Sequence, residues 1–362
     1  MADEISFLPL GAIIQSFKVG GVDIVQGFPT QAQYEAHNSP FFGETIGRVA
    51  NRISGATIGA SALRNSVAPA TAYALPPNNG PNTLHGGPVG WGKRVWDGPA
   101  PLGVKAQVPG LPPFATGGES VRFALHSEHG DQGFPGDVDA TVTYTVGKIE
   151  DEADGVTKTV LAMEYEAELV GDGAGAGAGV EETVVNMTNH SYFNLGGGPT
   201  IEGTRVQLCT AHHLPVDDVA IPTGDPTPYP DPAIAAGRPF ELGATAPDVD
   251  HCFVVDPSPA AASSVPLDTR GGPLTRLVAA DHPASGVHLE VLSTEPAFQF
   301  YTGKFIDVPA VDGAPARGPR AAFCVEPSRY VNAVNEDRWR SQVLLPRGQK
   351  YGARIVYKAW KV

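Results

Sequence analysis

Cysteine, long apolar runs and positive charge are all scarce in this sequence. The 362 residues contain three cysteines, Cys209, Cys252 and Cys324, an odd and widely spaced set that fits neither a disulfide framework nor paired CxxC zinc ligands. No run approaches the ~20 apolar residues of a transmembrane helix. The first residues, MADEISFLPLGAII, carry acids where a secretory signal would be basic. We therefore expect a soluble cytoplasmic protein whose cysteines are free and buried.

The charge balance limits the classes of partner. The chain has 39 acidic and 25 basic residues, for a formal net charge of −14, and this excess repels phosphate backbones and anionic lipid. We therefore expect neither a nucleic acid nor a membrane as partner.

The motifs of common cofactor sites are missing as well. The histidines, including the pair His212 and His213, show no HExxH-like spacing, and the run GDGAGAGAG from Gly171 lacks the GK[ST] ending of a phosphate loop. The sequence predicts no metal and no cofactor.

Glycine and proline are abundant, and they favour strands and loops over helices. The 43 glycines and 34 prolines leave few windows in which a long helix could form. Apolar residues alternate with polar ones along Val138–Val146 and Leu161–Leu169, which is typical of half-buried strands that form an antiparallel pair. Similar patterns occur in three further segments, Val121–Leu125, Val287–Val291 and Tyr351–Tyr357.

These patterns predict an all-β fold, a large antiparallel β-sandwich. No linker, composition shift or internal repeat divides the chain, so we expect a single domain over residues 1–362. Segments rich in proline, glycine and alanine, starting at Val108, Asp225 and Pro257, are interpreted as surface loops.

Polar residues gather in short segments that lie far apart in sequence, as expected of a site assembled on a β-scaffold. The segments are GETIGRVANRIS from Gly43, NTLHGG from Asn82, TNHSYFNLGGG from Thr188, DVDHCFVVD from Asp248, and QFYTG from Gln299 coupled to FCVEPSRYVNAVN from Phe323. Taken singly, the first, second and fourth are also compatible with ordinary turns. The third is harder to explain by packing, because His190 stands among many hydrogen-bonding groups at a strand end. Glu326 follows the apolar FCV, where a carboxylate is either buried and bonded or at the mouth of a cleft.

Together, in this order, these segments resemble the aldose 1-epimerase (galactose mutarotase) family. The resemblance is carried by GRVANRI, NTLHGG, TNHSYFNL, DHCF, QFYTG and the spacing from Glu326 to the final NAVN, and it covers nearly the whole chain. It implies a large, twisted antiparallel β-sandwich, the galactose mutarotase-like supersandwich, with a sugar cleft on one face. It also implies interconversion, without a cofactor, of the α and β anomers of free aldohexoses such as glucose and galactose.

Carried over by residue, the resemblance implies His190 as the general acid and Glu326 as the general base. The residues expected to bind the sugar are Asn51, Arg52, His85, Tyr192, Asp250 and Gln299. The flank of Glu326 departs from the family pattern, with Pro327 directly after the carboxylate and Asn332 at the usual aspartate. These departures leave the preferred sugar open.

The chemistry of anomer exchange predicts a geometry. The C1 hydroxyl must lose a proton while the ring oxygen gains one, so an acid and a base must reach the same pyranose ring. We expect Glu326, with an ordinary pKa of ~4.3, to be ionised at neutral pH, and its carboxylate to lie roughly 5 to 8 Å from the His190 imidazole.

Two alternatives remain at this point. A hexose 6-phosphate 1-epimerase would need a basic cluster for the phosphate, for which the site segments offer mainly Arg48, Arg52 and Arg329. A non-catalytic sugar-binding or regulatory module should have lost the acid or the base, yet both His190 and Glu326 are present.

Overall fold

A computed structural model describes residues 4–66, 72–151, 155–171 and 177–362. The glycine-rich run from Gly171 falls largely on residues 172–176, outside the described part. Within the described residues, no helix is both long and apolar enough to cross a membrane.

The largest element is a nine-stranded antiparallel sheet. In spatial order its strands are Phe240–Leu242, Thr204–Leu208, Thr275–His282, Val287–Ser293, Lys350–Lys361, Thr157–Val170, Asp137–Glu150, Thr116–Ser127 and Asp97–Val104. The five strand segments expected from alternation all lie in this sheet. The predicted antiparallel pair is confirmed, with Val138 opposite Leu169 and Val146 opposite Leu161.

A second antiparallel sheet has six shorter strands. In spatial order they are Tyr192–Phe193, Phe323–Ser328, Ala297–Tyr301, Asp250–Val254, His212–His213 and Thr227–Pro228. Tyr165 and Tyr357 of the large sheet share one buried apolar cluster with Phe300 and Phe323 of the small sheet. The predicted all-β sandwich is thus confirmed, and its core is formed by inner faces of the two sheets.

Short elements complete the fold. A three-stranded sheet consists of Ile5–Leu8, Ile13–Val19 and Val22–Asp23. Four two-stranded pairs join Glu182–Val184 to Leu344–Pro346, Thr188–Asn189 to Thr45–Ile46, Arg52–Ile53 to Thr83–Leu84, and Thr57–Gly59 to Ala72–Ala74. The α-helices are Gln31–His37 and Pro259–Ser264.

The second helix corrects the sequence interpretation of the Pro257 segment as a loop. The Ser258 hydroxyl accepts a hydrogen bond from the Ala261 backbone N–H at 3.3 Å, and Pro259 occupies the first helical turn. Both features favour a helix start, so a segment rich in alanine and serine forms a helical turn despite its three prolines.

Candidate active site

All eight residues selected from the sequence line one cavity of about 600 Å³. They are Asn51, Arg52, His85, His190, Tyr192, Asp250, Gln299 and Glu326. They are spread over most of the chain, and the fold brings them to one cavity.

The register of the six-stranded sheet explains how part of this set is brought together. Gln299 lies directly opposite Glu326 on the neighbouring strand, and Asp250 pairs with Tyr301, two residues along from Gln299. Residues that face each other across antiparallel strands, and those two positions away, share one side of a sheet. Asp250, Gln299 and Glu326 therefore line the cavity. Phe298 and Phe300, which flank Gln299 on its strand, point the other way and lie in the core.

The same register accounts for the contact between His190 and Glu326. Tyr192 pairs with Cys324, so continuing this antiparallel register by two residues brings His190 opposite Glu326. Their Nε2 and Oε1 atoms are 3.5 Å apart, and both side chains are buried. The expected separation of roughly 5 to 8 Å was wrong, because it assumed that the two groups meet only through a sugar, whereas cross-strand neighbours contact each other directly.

Two loop segments supply the opposite wall. The short pairing of Arg52–Ile53 with Thr83–Leu84 brings Asn51 next to His85, and the Asn51 backbone N–H donates to His85 Nδ1 at 3.3 Å. Gly86 follows, with a positive φ of 81°, and a Cβ there would lie 2.1 Å from the Gly47 carbonyl oxygen. The glycine after His85 is therefore required by a close backbone contact.

Burial shifts the protonation of the reactive groups. It raises the pKa of Glu326 to about 8, with the Asp250 carboxylate adding to the rise and Arg52 opposing it. Burial also lowers the pKa of His190, and the Lys93 charge acts in the same direction. The expectation that Glu326 is ionised at neutral pH was wrong, because that carboxyl is enclosed. A raised carboxyl pKa and a lowered imidazole pKa together favour a pair with one proton, held on the carboxyl.

A chain of hydrogen bonds orients the polar side chains of the cavity. Gln299 Nε2 donates to Asp250 Oδ1 at 2.6 Å, while Gln299 Oε1 accepts from Asn51 Nδ2 at 3.1 Å. Arg52 donates from Nη1 to Asn51 Oδ1 at 3.3 Å and from Nε to Asn79 Oδ1 at 2.9 Å. Each group thus fixes the amide or carboxylate orientation of the next.

Comparison with known proteins identifies the family. Residues 3–358 match the family model described as aldose 1-epimerase. This chain belongs to the aldose 1-epimerase family. It is 33% identical to galactose mutarotase of Homo sapiens over 345 residues, which cover 93% of this chain and 83% of that protein. It is also 33% identical to the bifunctional protein gal10 of Schizosaccharomyces pombe, covering 99% of this chain but 44% of that protein. The chain thus spans less than half the length of that relative.

Solved structures show the same fold. The GalM/aldose epimerase homologue from C. elegans has a TM-score of 0.74 at 25% identity, with coverage of 99% of this chain and 95% of that chain. Galactose 1-epimerase from Lactobacillus acidophilus NCFM has a TM-score of 0.72 at 20% identity, with coverage of 99% and 91%. The galactose mutarotase-like sandwich expected from the sequence is confirmed.

Of the three arginines considered for phosphate binding, only Arg52 lines the cavity of this epimerase-family chain. Arg48 is buried and donates to the backbone carbonyls of Ser127, Pro135 and Gly136. Arg329 is fully buried beside Glu295, with Nε 3.2 Å from Oε2. Arg48 and Arg329 are therefore not placed to bind a phosphate in the cavity, since both side chains hold the scaffold together.

One group in the described part of the chain has the composition of a metal site. Potential ligand atoms of His85, His190 and Glu326 lie within 4.8 Å of one another. The Asn51 N–H, however, donates to His85 Nδ1, so the neutral ring carries its proton on Nε2. In this tautomer neither nitrogen of His85 is free to bind a metal, and the ring is suited to donate a hydrogen bond.

Sequence reasoning missed part of the cavity wall. The missed residues include Phe41, Asn79, Asp218, Val219, Tyr301 and Phe305. Phe41 stands two residues before the GETIGRVANRIS segment and Tyr301 is within QFYTG, so extending these motifs would have found them. Asp218 and Val219 lie in a segment with no chemical motif, and only tertiary structure brings them to the cavity.

Proposed function

We propose that this chain is an aldose 1-epimerase that interconverts the α and β anomers of free aldohexoses such as glucose and galactose. The observation that carries the proposal is the pair of a buried imidazole and a buried carboxyl, His190 Nε2 and Glu326 Oε1, 3.5 Å apart on the wall of a cavity lined by further polar side chains. Proton transfer in two directions at neighbouring oxygens needs such a pair.

In the proposed mechanism Glu326 is the base and His190 is the acid. Transfer of the shared proton from the carboxyl to the imidazole produces the two forms that the reaction uses. Glu326 then removes the proton of the C1 hydroxyl while His190 gives its proton to the ring oxygen, so the C1–O5 bond breaks and C1 becomes an aldehyde. Rotation about C1–C2 and reversal of both transfers close the ring on the other face and restore both groups.

The remaining polar side chains are suited to hold the sugar. Asp250 and Gln299 face the cavity beside Glu326 and offer acceptors and donors to hydroxyl groups. His85 presents an Nε2–H, which can donate to the ring oxygen or a neighbouring hydroxyl. The Arg52 guanidinium attracts electron density on the sugar oxygens.

The test is polarimetry of freshly dissolved α-glucose, α-galactose and α-xylose with purified protein. We expect the approach to anomeric equilibrium to be faster than in matched buffer, with no cofactor added, for at least one hexose. The same sugars with heat-denatured protein serve as the control for buffer catalysis. Equal rates with native and denatured protein for all three sugars would disprove the proposal, and preferential acceleration of a hexose 6-phosphate would favour the phosphate-specific alternative.

A further inference from the structure

Phe41 occupies an unusual backbone position in the cavity wall. Its φ is +68°, in the left-handed region that residues with a side chain seldom adopt. Its ring contacts both histidines of the site, with centroid separations of 4.8 Å to His85 and 5.7 Å to His190. A strained residue next to reacting groups persists only where its surroundings hold it in place.

A polar cluster formed by the half-buried Lys93 and the buried Glu44 and Asn38 supplies those restraints. Lys93 Nζ donates to Glu44 Oε1 and to the Asn38 carbonyl oxygen, both at 2.5 Å. The Asn38 side chain in turn donates to Glu44 Oε1 at 2.8 Å and accepts from the Phe42 backbone N–H at 2.8 Å. The turn that carries Phe41 is thus fastened on both sides to one ion pair.

Lys93 also contacts the Phe41 ring directly. Its Nζ lies 4.5 Å from the ring centroid, within the range of a cation–π interaction. The Glu44 backbone carbonyl accepts the His190 N–H at 2.9 Å, so the same segment also contacts the backbone of the proposed acid. A glycine is needed at position 92 beside the Lys93–Glu44 pair, because a Cβ on Gly92 would lie 2.1 Å from Glu44 Oε2.

We propose that Phe41 is a specificity-determining residue that forms the apolar wall against which the sugar packs beside His85 and His190, and that Lys93, paired with Glu44, is the positioning residue that holds this ring. The proposal rests on the proposed sugar-epimerase function. Lys93 does not line the cavity described above, so it acts on sugar binding through Phe41, while its charge also acts on His190.

The experiment is a double-mutant cycle. One variant is Phe41→Leu. The second is Lys93→Met combined with Glu44→Gln, which removes both charges and so leaves no buried ion unpaired. The third combines all three changes. For each protein, KM and kcat are measured by polarimetry, the sugar dissociation constant by calorimetry, and the folded state by thermal melting.

We expect Phe41→Leu to raise KM by roughly 3- to 10-fold, the size of one aromatic contact, with a smaller change in kcat. The variant that combines Lys93→Met with Glu44→Gln, called here the charge-free variant, should show a KM increase of similar size. The KM of the triple variant should not exceed that of Phe41→Leu or of the charge-free variant, because Lys93 has nothing to position once the ring is gone. Lys93→Arg, which keeps the cation, should recover most of the affinity.

Lys304→Met is the matched control. Lys304 also lies near an aromatic ring of the cavity, 5.7 Å from the Phe305 ring centroid, and pairs with Asp248, but its side chain is exposed. We expect its KM to match that of the unmodified protein. The proposal would be overturned if the KM increase of the triple variant equals the product of the increases in the other two variants. An unchanged KM in a folded charge-free variant would overturn it as well. If the unmodified protein does not accelerate mutarotation, the proposed function fails, and the same cycle in sugar dissociation constants still tests the positioning role.

Discussion

The proposed base and acid, Glu326 and His190, should contribute to the rate of the reaction and hardly to sugar affinity. We predict that Glu326→Gln and His190→Asn each lower kcat for mutarotation by ~10² or more, since each removes one proton-transfer partner while largely keeping its shape. Sugar affinity should change much less, because other side chains hold the hydroxyls. Polarimetry and calorimetric titration with galactose measure the two quantities. A variant that equilibrates galactose at the unmodified rate would contradict its assigned role.

The shifted pKa values of the same two groups predict a pH profile. As pH rises through the pKa of Glu326, about 8, the pair loses its only proton and the acid function disappears. On the acidic side, the lowered pKa of His190 delays the uptake of a second proton, so activity should persist well below the ordinary histidine pKa of ~6.5. We therefore expect kcat/KM to fall on the alkaline side with a midpoint near the Glu326 pKa of about 8.

The measurement is the enzyme-dependent rate of mutarotation from pH 5 to 10, roughly the range in which these groups exchange protons, with the buffer-catalysed rate subtracted at each pH. Unmodified protein and Asp250→Asn are compared. Asp250 raises the pKa of Glu326, so the alkaline midpoint should move down when that charge is removed. An acidic limb centred near the ordinary histidine pKa would mean that His190 is not shielded as the structure indicates.

The strand Phe323–Ser328, which carries Glu326, is anchored at its end by a buried ion pair. Arg329 and Glu295 are both fully buried, and Arg329 Nη2 donates to the Leu267 carbonyl at 3.0 Å. Removing one partner leaves an uncompensated buried charge, which typically costs ~3 to 5 kcal/mol. We predict that Arg329→Met lowers the free energy of unfolding by about this amount, and that adding Glu295→Gln restores part of it.

Chemical denaturation at neutral pH measures this effect. Arg338→Met is the matched control, because the Arg338–Asp225 pair, at 2.5 Å, is exposed on both sides and such pairs contribute ~0 to 1 kcal/mol. If Arg329→Met and Arg338→Met destabilise equally, the buried pair does not anchor the strand.

The whole chain, we propose, folds as one domain of residues 1–362. The shared cluster runs from Phe17 near the start of the chain to Tyr357 near its end, and it includes side chains of both large sheets. We predict one thermal unfolding transition with equal calorimetric and van't Hoff enthalpies. Mutarotase activity should be lost at the same midpoint temperature, and galactose should raise that midpoint. Two resolved transitions, with the activity lost in only one of them, would contradict a single cooperative unit.

The sequence by itself determined the fold class and singled out the proposed reacting groups. Alternation along Val138–Val146 reports directly on which side chains face the core, because strand periodicity is local. The motifs around His85, His190 and Glu326 were recognisable because the chemistry restricts which residue types can stand there. The helix at Pro259–Ser264 was missed, since its capping signals are weak in a segment with three prolines.

Only the tertiary structure decided how the groups act on one another. The direct contact of His190 with Glu326 depends on cross-strand register, and their pKa shifts depend on burial, neither of which is local in sequence. Arg48 and Asn51 stand three residues apart in one motif, yet Arg48 is buried against backbone carbonyls and Asn51 lines the cavity. The role proposed for Phe41 depends on Lys93, more than fifty residues away, because a left-handed backbone needs restraints that only folding brings together.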